Sequence, residues 1–138
     1  MTNSGNPTGL TTSQGWEIGI RRTFPFSAEK AWETIFSQPV LASWLDDKVN
    51  IRFQKNDTYT AASGIAITVT SVTEAKVIRM KWQHENQSHA STLQIRVIPA
   101  KEKATISFHH EHLADGKERE EMKIHWENVL NKIASLVF

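Results

Sequence analysis

The chain contains no cysteine in 138 residues. That excludes a disulfide framework and any thiolate metal or redox centre. It also has no excess of either charge: 16 Lys plus Arg stand against 15 Asp plus Glu. The basic residues form no stripe or run, so no phosphate-binding surface, and hence no nucleic-acid partner, is expected. No apolar stretch approaches the ~20 residues that span a bilayer. The first fifteen residues, MTNSGNPTGLTTSQG, lack the basic start and apolar centre of a signal peptide. Asn56-Asp57-Thr58 and Asn86-Gln87-Ser88 match the glycosylation triplet, but without secretion the match carries no consequence. A cysteine-free chain without a secretory signal fits the cytoplasm. Nucleophile elbow, P-loop and Rossmann glycine pattern are all missing. No catalytic residue and no cofactor is therefore expected.

What is present reads as one domain. Residues 1–15 read as a flexible polar tail and 16–138 as the domain. In Trp16-Glu17-Ile18-Gly19-Ile20, apolar residues alternate with polar or small ones, the pattern of a half-buried strand. Ser27 then occupies an N-cap position with Glu29 in the first turn. Ala28, Ala31, Trp32, Ile35 and Phe36 recur at helical spacing. A second short helix opens at Pro39, with Leu41, Trp44 and Leu45 on its buried side. From Val49 the period changes to two, predicting strands near 49–54, 57–62, 64–73, 76–84, 89–98 and 103–112. The joints between them are short and turn-rich, as in consecutive hairpins. The helical period returns from Arg119 to Ile133, where Met122, Trp126, Val129, Leu130 and Ile133 make an apolar stripe. Strands in a run followed by a helix predict an α+β fold, a curved antiparallel sheet around a long C-terminal helix.

Three sequence words carry a resemblance: Ala31-Trp32-Glu33-Thr34-Ile35-Phe36, Pro39-Val40-Leu41-Ala42-Ser43-Trp44 and His125-Trp126-Glu127-Asn128-Val129-Leu130. In this order they resemble the family named for homology to the activator of the heat-shock-protein-90 ATPase, within the START-like superfamily. The resemblance covers roughly residues 16 to 138. It implies the helix-grip fold, with two short helices after the first strand and a cavity between sheet and C-terminal helix. Relatives in the wider superfamily bind lipids, steroids or polyketides, and some act on them chemically. The short strand before Ser63-Gly64 departs from the pattern and implies a trimmed pocket edge.

Alternation assigns inward faces to Ile65, Ile67 and Val69, to Ile78, Met80, Trp82 and His84, to Leu93, Ile95 and Val97, and to Ile106, Phe108, His110 and His112. The expected ligand-binding set is Trp44, Ile67, Met80, Trp82, Ile95, Phe108, His110, Met122 and Trp126. Large apolar side chains equally suit a packed core, where each gains roughly 2–3 kcal/mol by burial alone. Trp32 is expected in the core, at the closed end. His109-His110-Glu111-His112 has the look of a metal cluster, yet a strand sends His110 and His112 one way and His109 and Glu111 the other. A zinc site wants three ligands on one side; two are available, with His84 a conceivable third from a neighbouring strand, and no metal is expected. Asp46-Asp47 follows the Trp44 helix and reads as solvated charge at a helix end, with a place at the pocket rim as the alternative. The composition and the resemblance lead to binding or transport of a small apolar or amphipathic molecule in the internal cavity. The alternatives are a protein-interaction module with a protein partner, as in the chaperone activators, and an enzyme acting on a bound apolar ligand.

Overall fold

The computed structural model describes residues 10–11 and 15–137. A two-residue strand, β1 (Leu10–Thr11), and a ten-residue strand, β2 (Gly15–Phe24), open it. Helices α1 (Ala28–Ile35) and α2 (Gln38–Trp44) follow. Then come β3 (Thr58–Thr60), β4 (Ile65–Thr73), β5 (Val77–His84), β6 (Ser91–Ala100), β7 (Lys103–Leu113) and the long helix α3 (Gly116–Val137). The strands form one antiparallel sheet in the order β1-β2-β7-β6-β5-β4-β3. Strands β3 to β7 are consecutive hairpins. β2 instead crosses the molecule to pair with β7, so the sheet holds α3 between its early and late strands.

Local chemistry explains the boundaries. The Ser27 hydroxyl accepts from the Lys30 amide at 3.1 Å and caps α1. Pro39 sits in the first turn of α2, where its missing N–H leaves no gap. α3 begins earlier than its apolar stripe. The Asp115 carboxylate accepts from the Glu118 amide at 2.8 Å, and the Glu118 carboxylate accepts from the Ala114 amide at 2.8 Å. This reciprocal capping starts the helix at Gly116. Gly64 turns β3 into β4 at φ +96°, a backbone conformation that favours glycine.

The core lies between the sheet and the three helices. Ile67, Val69, Ile78, Met80, Leu93, Ile95, Ile106 and Phe108 face Trp126, Val129, Leu130 and Ile133 of α3. These are the inward faces that alternation predicts, and the α+β helix-grip architecture is the expected one.

Three local expectations are corrected. Residues 49–54 form no strand. Val49, Ile51 and Phe53 do turn inward while Asn50, Arg52 and Gln54 face out, but no neighbouring strand pairs with them and Phe53 takes φ 55°. Period two thus reports the buried side, not a hydrogen-bonded ladder. His112 is exposed, because β7 carries an extra residue where Ile18 pairs with His110 but Trp16 pairs with Leu113. His112 occupies φ 62° at that bulge and Leu113 takes the inward place. Trp32 is only half-buried. Within the expected tail, Leu10 and Thr11 pair with Trp16 and Gly15; the rest of that tail lies outside the described residues.

Candidate functional site

The structure brings all nine expected ligand-binding residues together. Trp44, Ile67, Met80, Trp82, Ile95, Phe108 and Trp126 belong to one packed cluster, with Met122 half-buried against it. His110 is fully buried beside them. Trp126, which has no exposed surface, is the hub. Its ring stacks on Phe108 at 4.6 Å and meets Trp82 edge-on at 5.5 Å and Trp44 at 6.1 Å. Such offset and edge geometries add to the stabilisation from burial.

The polar atoms of this cluster form a closed relay. The Trp126 indole N–H donates to His110 Nδ1 at 3.2 Å. With Nδ1 accepting, the neutral ring carries its proton on Nε2, which lies 2.7 Å from the Ser91 hydroxyl. The hydroxyl donates onward to the Trp82 carbonyl at 2.8 Å. Among the described residues no buried side-chain nitrogen or oxygen lacks a partner. Burial, with smaller contributions from His125 and His109, lowers the His110 pKa to about 3. His110 is therefore a neutral, fully bonded core residue at physiological pH. His125 is lowered too, chiefly by burial, against the opposing effect of its bond to the Trp44 carbonyl at 3.3 Å.

Open space lies on the other side of Trp44. A cleft of about 540 Å³ runs between α1, α2, the irregular segment 49–54 and the end of β4. Trp32, Phe36, Leu41, Val49, Ile51, Phe53 and Val72 give it apolar walls, and Glu33, Arg52, Gln54 and Glu74 a polar rim. Val72 reaches it through a second bulge: Val69 pairs with Met80, but Ser71 pairs with Arg79, so Val72 comes to oppose the buried Ile78. Phe53 divides cleft from core. Its ring lies 4.8 Å from Phe36 and 5.9 Å from Trp44, and its left-handed backbone costs roughly 1–2 kcal/mol in a residue with a Cβ. The packing of a buried ring offsets that cost. None of the nine expected residues lines this cleft; the sequence hides it, because Trp32 has the spacing of a core residue and segment 49–54 the alternation of a strand.

Asp46, expected as solvated charge, anchors one end of the cleft segment. Its carboxylate accepts from the Tyr59 hydroxyl at 2.8 Å and the Ala62 amide at 3.1 Å. The Tyr59 bond is the main reason its pKa is lowered and the Tyr59 pKa is raised.

Comparison with known proteins supports the architecture. The crystal structure of CalU16 from Micromonospora echinospora superposes with a TM-score of 0.75 at 13% identity, covering 88% of this chain and 75% of that one. PFC0360w, an HSP90 activator from Plasmodium falciparum, gives 0.71 at 18% identity over 87% and 94%. The Aha1 dimer from Colwellia psychrerythraea gives 0.73 at 12% identity over 88% and 95%. At such identities the likeness is one of fold. No curated protein sequence matches the chain. The family model described as Activator of Hsp90 ATPase homolog 1-like protein matches residues 25–137, and the chain belongs to that family, within the START-like superfamily.

Proposed function

We propose that this protein binds a small apolar or amphipathic molecule, and that the molecule seats in the cleft between α1, α2 and segment 49–54. One observation carries the reading: half-buried aromatic rings, Trp32 and Phe36, wall a concavity of about 540 Å³ with a polar rim. That size and composition suit a small-molecule site, an apolar lining with a few polar groups at one side. Covering such rings is favourable by about 25 cal/mol per Å² of apolar surface removed from water. An amphipathic ligand would lay its apolar body on the rings and leave its head group among Glu33, Arg52 and Glu74. The interior around Trp126 is the rival location, but a ligand there would have to displace rings already in contact. The cysteine-free composition supports a reducing compartment such as the cytoplasm. No helix of the described residues is long and apolar enough to cross a membrane.

The family description and the HSP90-activator neighbour favour a second reading, a protein-interaction module. Denaturing extraction of the purified protein, followed by mass spectrometry, separates the two. A stoichiometric apolar molecule supports the first. An empty protein that binds no apolar probe, yet associates stoichiometrically with a purified chaperone ATPase, supports the second.

A further inference from the structure

A separate group of side chains lies on the outward face of the sheet, away from core and cleft. Glu17 on β2 and His109 and Glu111 on β7 each bring one ligand atom to within 4.8 Å of the others. Strand register does this. Gly19 pairs with His109. Glu17, two residues before Gly19, and Glu111, two residues after His109, fall on the same face of antiparallel neighbours. His109 Nε2 lies 3.5 Å from Glu17 Oε1, and Nδ1 lies 3.7 Å from Glu111 Oε2. The side chains keep 36% exposure for His109, 25% for Glu17 and 18% for Glu111.

Charge balance bears on what the group could hold. Among the described residues neither carboxylate lies within ion-pair distance of a Lys or Arg; His109 is the sole partner of both. A neutral imidazole leaves both negative charges uncompensated, and an imidazolium still leaves one. A divalent cation with a neutral imidazole balances the group. Partial removal from water makes any residual charge more costly than on an open surface.

We propose that Glu17, His109 and Glu111 form a binding site for a divalent transition-metal ion of the zinc type. One imidazole nitrogen with carboxylate oxygens is a donor set for zinc and its neighbours, whereas magnesium and calcium take oxygen ligands throughout. Three protein ligands leave a fourth tetrahedral position toward solvent for water. Ligand atoms around a tetrahedral ion with bonds of about 2.1 Å stand roughly 3.4 Å apart; because Glu17 and Glu111 face different nitrogens of the one ring, seating the ion takes side-chain rotation that brings both carboxylates to a single nitrogen. Gly19 leaves room for that rotation: even a Cβ there would remain 3.5 Å from His109 Cδ2. The site was not legible from the His-His-Glu-His run because its third ligand comes from β2, through a register that the sequence does not state.

The test is titration of the full chain, free of any affinity tag, with Zn²⁺ by calorimetry and with Co²⁺ by visible absorption. One ion per chain and the bands of a four-coordinate nitrogen–oxygen site are expected. His109→Ala and Glu111→Gln should each weaken Zn²⁺ by at least about tenfold, while His89→Ala, on an exposed turn outside the cluster, should leave it unchanged. Melting curves establish that each variant is folded. If His109→Ala fails to fold, Glu17→Gln and Glu111→Gln carry the comparison, together with the Zn²⁺-induced shift of the His109 ring resonances in the unaltered chain. Absence of saturable binding, binding indifferent to both Glu variants, or equal loss in His89→Ala overturns the proposal.

Discussion

Around Trp126 the rings touch and the polar atoms are partnered; around Trp32 the rings are half-bare and the backbone is irregular. Both regions are aromatic, and they meet at Trp44 and Phe53. The difference lies in what holds each one. The first is built on β5, β6, β7 and α3, whose ladders and long stripe leave no freedom. The second leans on two short helices and on segment 49–54, whose inward residues are packed without being paired. Aromatic content alone therefore does not mark a binding site. A ring that its own elements leave half-covered is the better candidate for one.

The largest effect should come from breaking the packed side. Trp126→Ala should cost about 3–5 kcal/mol in chemical denaturation, since the surrounding ladders cannot collapse into the space. Phe53→Ala strikes the divider. We expect about 3 kcal/mol, the low end for a buried ring, because solvent from the cleft can fill the gap, and we expect the Trp44 indole to become responsive to added ligand. Ser91→Ala removes the link between His110 and the Trp82 carbonyl. A loss of about 1–3 kcal/mol should follow, the cost of leaving the His110 N–H unsatisfied.

The same relay predicts a pH dependence. His110 takes up its proton near pH 6.5 when unfolded but only at about pH 3 when folded. The unfolded chain thus binds the extra proton between those values, and stability must fall as pH drops through that window, by at most about 1.4 kcal/mol per pH unit. Above pH 6.5 the contribution is complete. Thermal melts from pH 7 to 5 should show the decline, and His110→Gln should reduce its slope, leaving the part due to His125, whose pKa burial also lowers. Trp32→Ala sharpens the comparison from the other side. It should change stability by less than about 1 kcal/mol, its ring being half-exposed, yet weaken an apolar probe such as anilinonaphthalenesulfonate about tenfold. Removal of residues 1–9, which contain no Leu, Ile, Val or aromatic residue, should have the smallest effect, under about 0.5 kcal/mol.

Much of the packed side was legible in the sequence. The stripe Met122, Trp126, Val129, Leu130 and Ile133 and the alternation of Ile78, Met80 and Trp82 each report a buried face, and a buried face is what period measures. Two features hid the rest. Bulges at Thr70 and near His112 each insert one residue without a glycine to announce it, so Val72 joins the inward face beyond Val69, and Leu113 points inward in place of the expected His112. The Asp115-x-x-Glu118 spacing did signal the true start of α3, but the apolar stripe drew the boundary later. The cleft was illegible for a different reason. Val49, Ile51 and Phe53 alternate as a strand does, and only the fold shows that no strand lies beside them.

The most direct test follows the five indole N–H resonances by nuclear magnetic resonance during titration with anilinonaphthalenesulfonate. Trp44 and Trp126 donate to the Ile35 carbonyl and His110 in the packed interior, whereas Trp32 lines the cleft. The account predicts that Trp32 shifts saturably while Trp126 and Trp82 stay in place. Saturable shifts of Trp126 and Trp82 with Trp32 unmoved would put the ligand between sheet and C-terminal helix and contradict it.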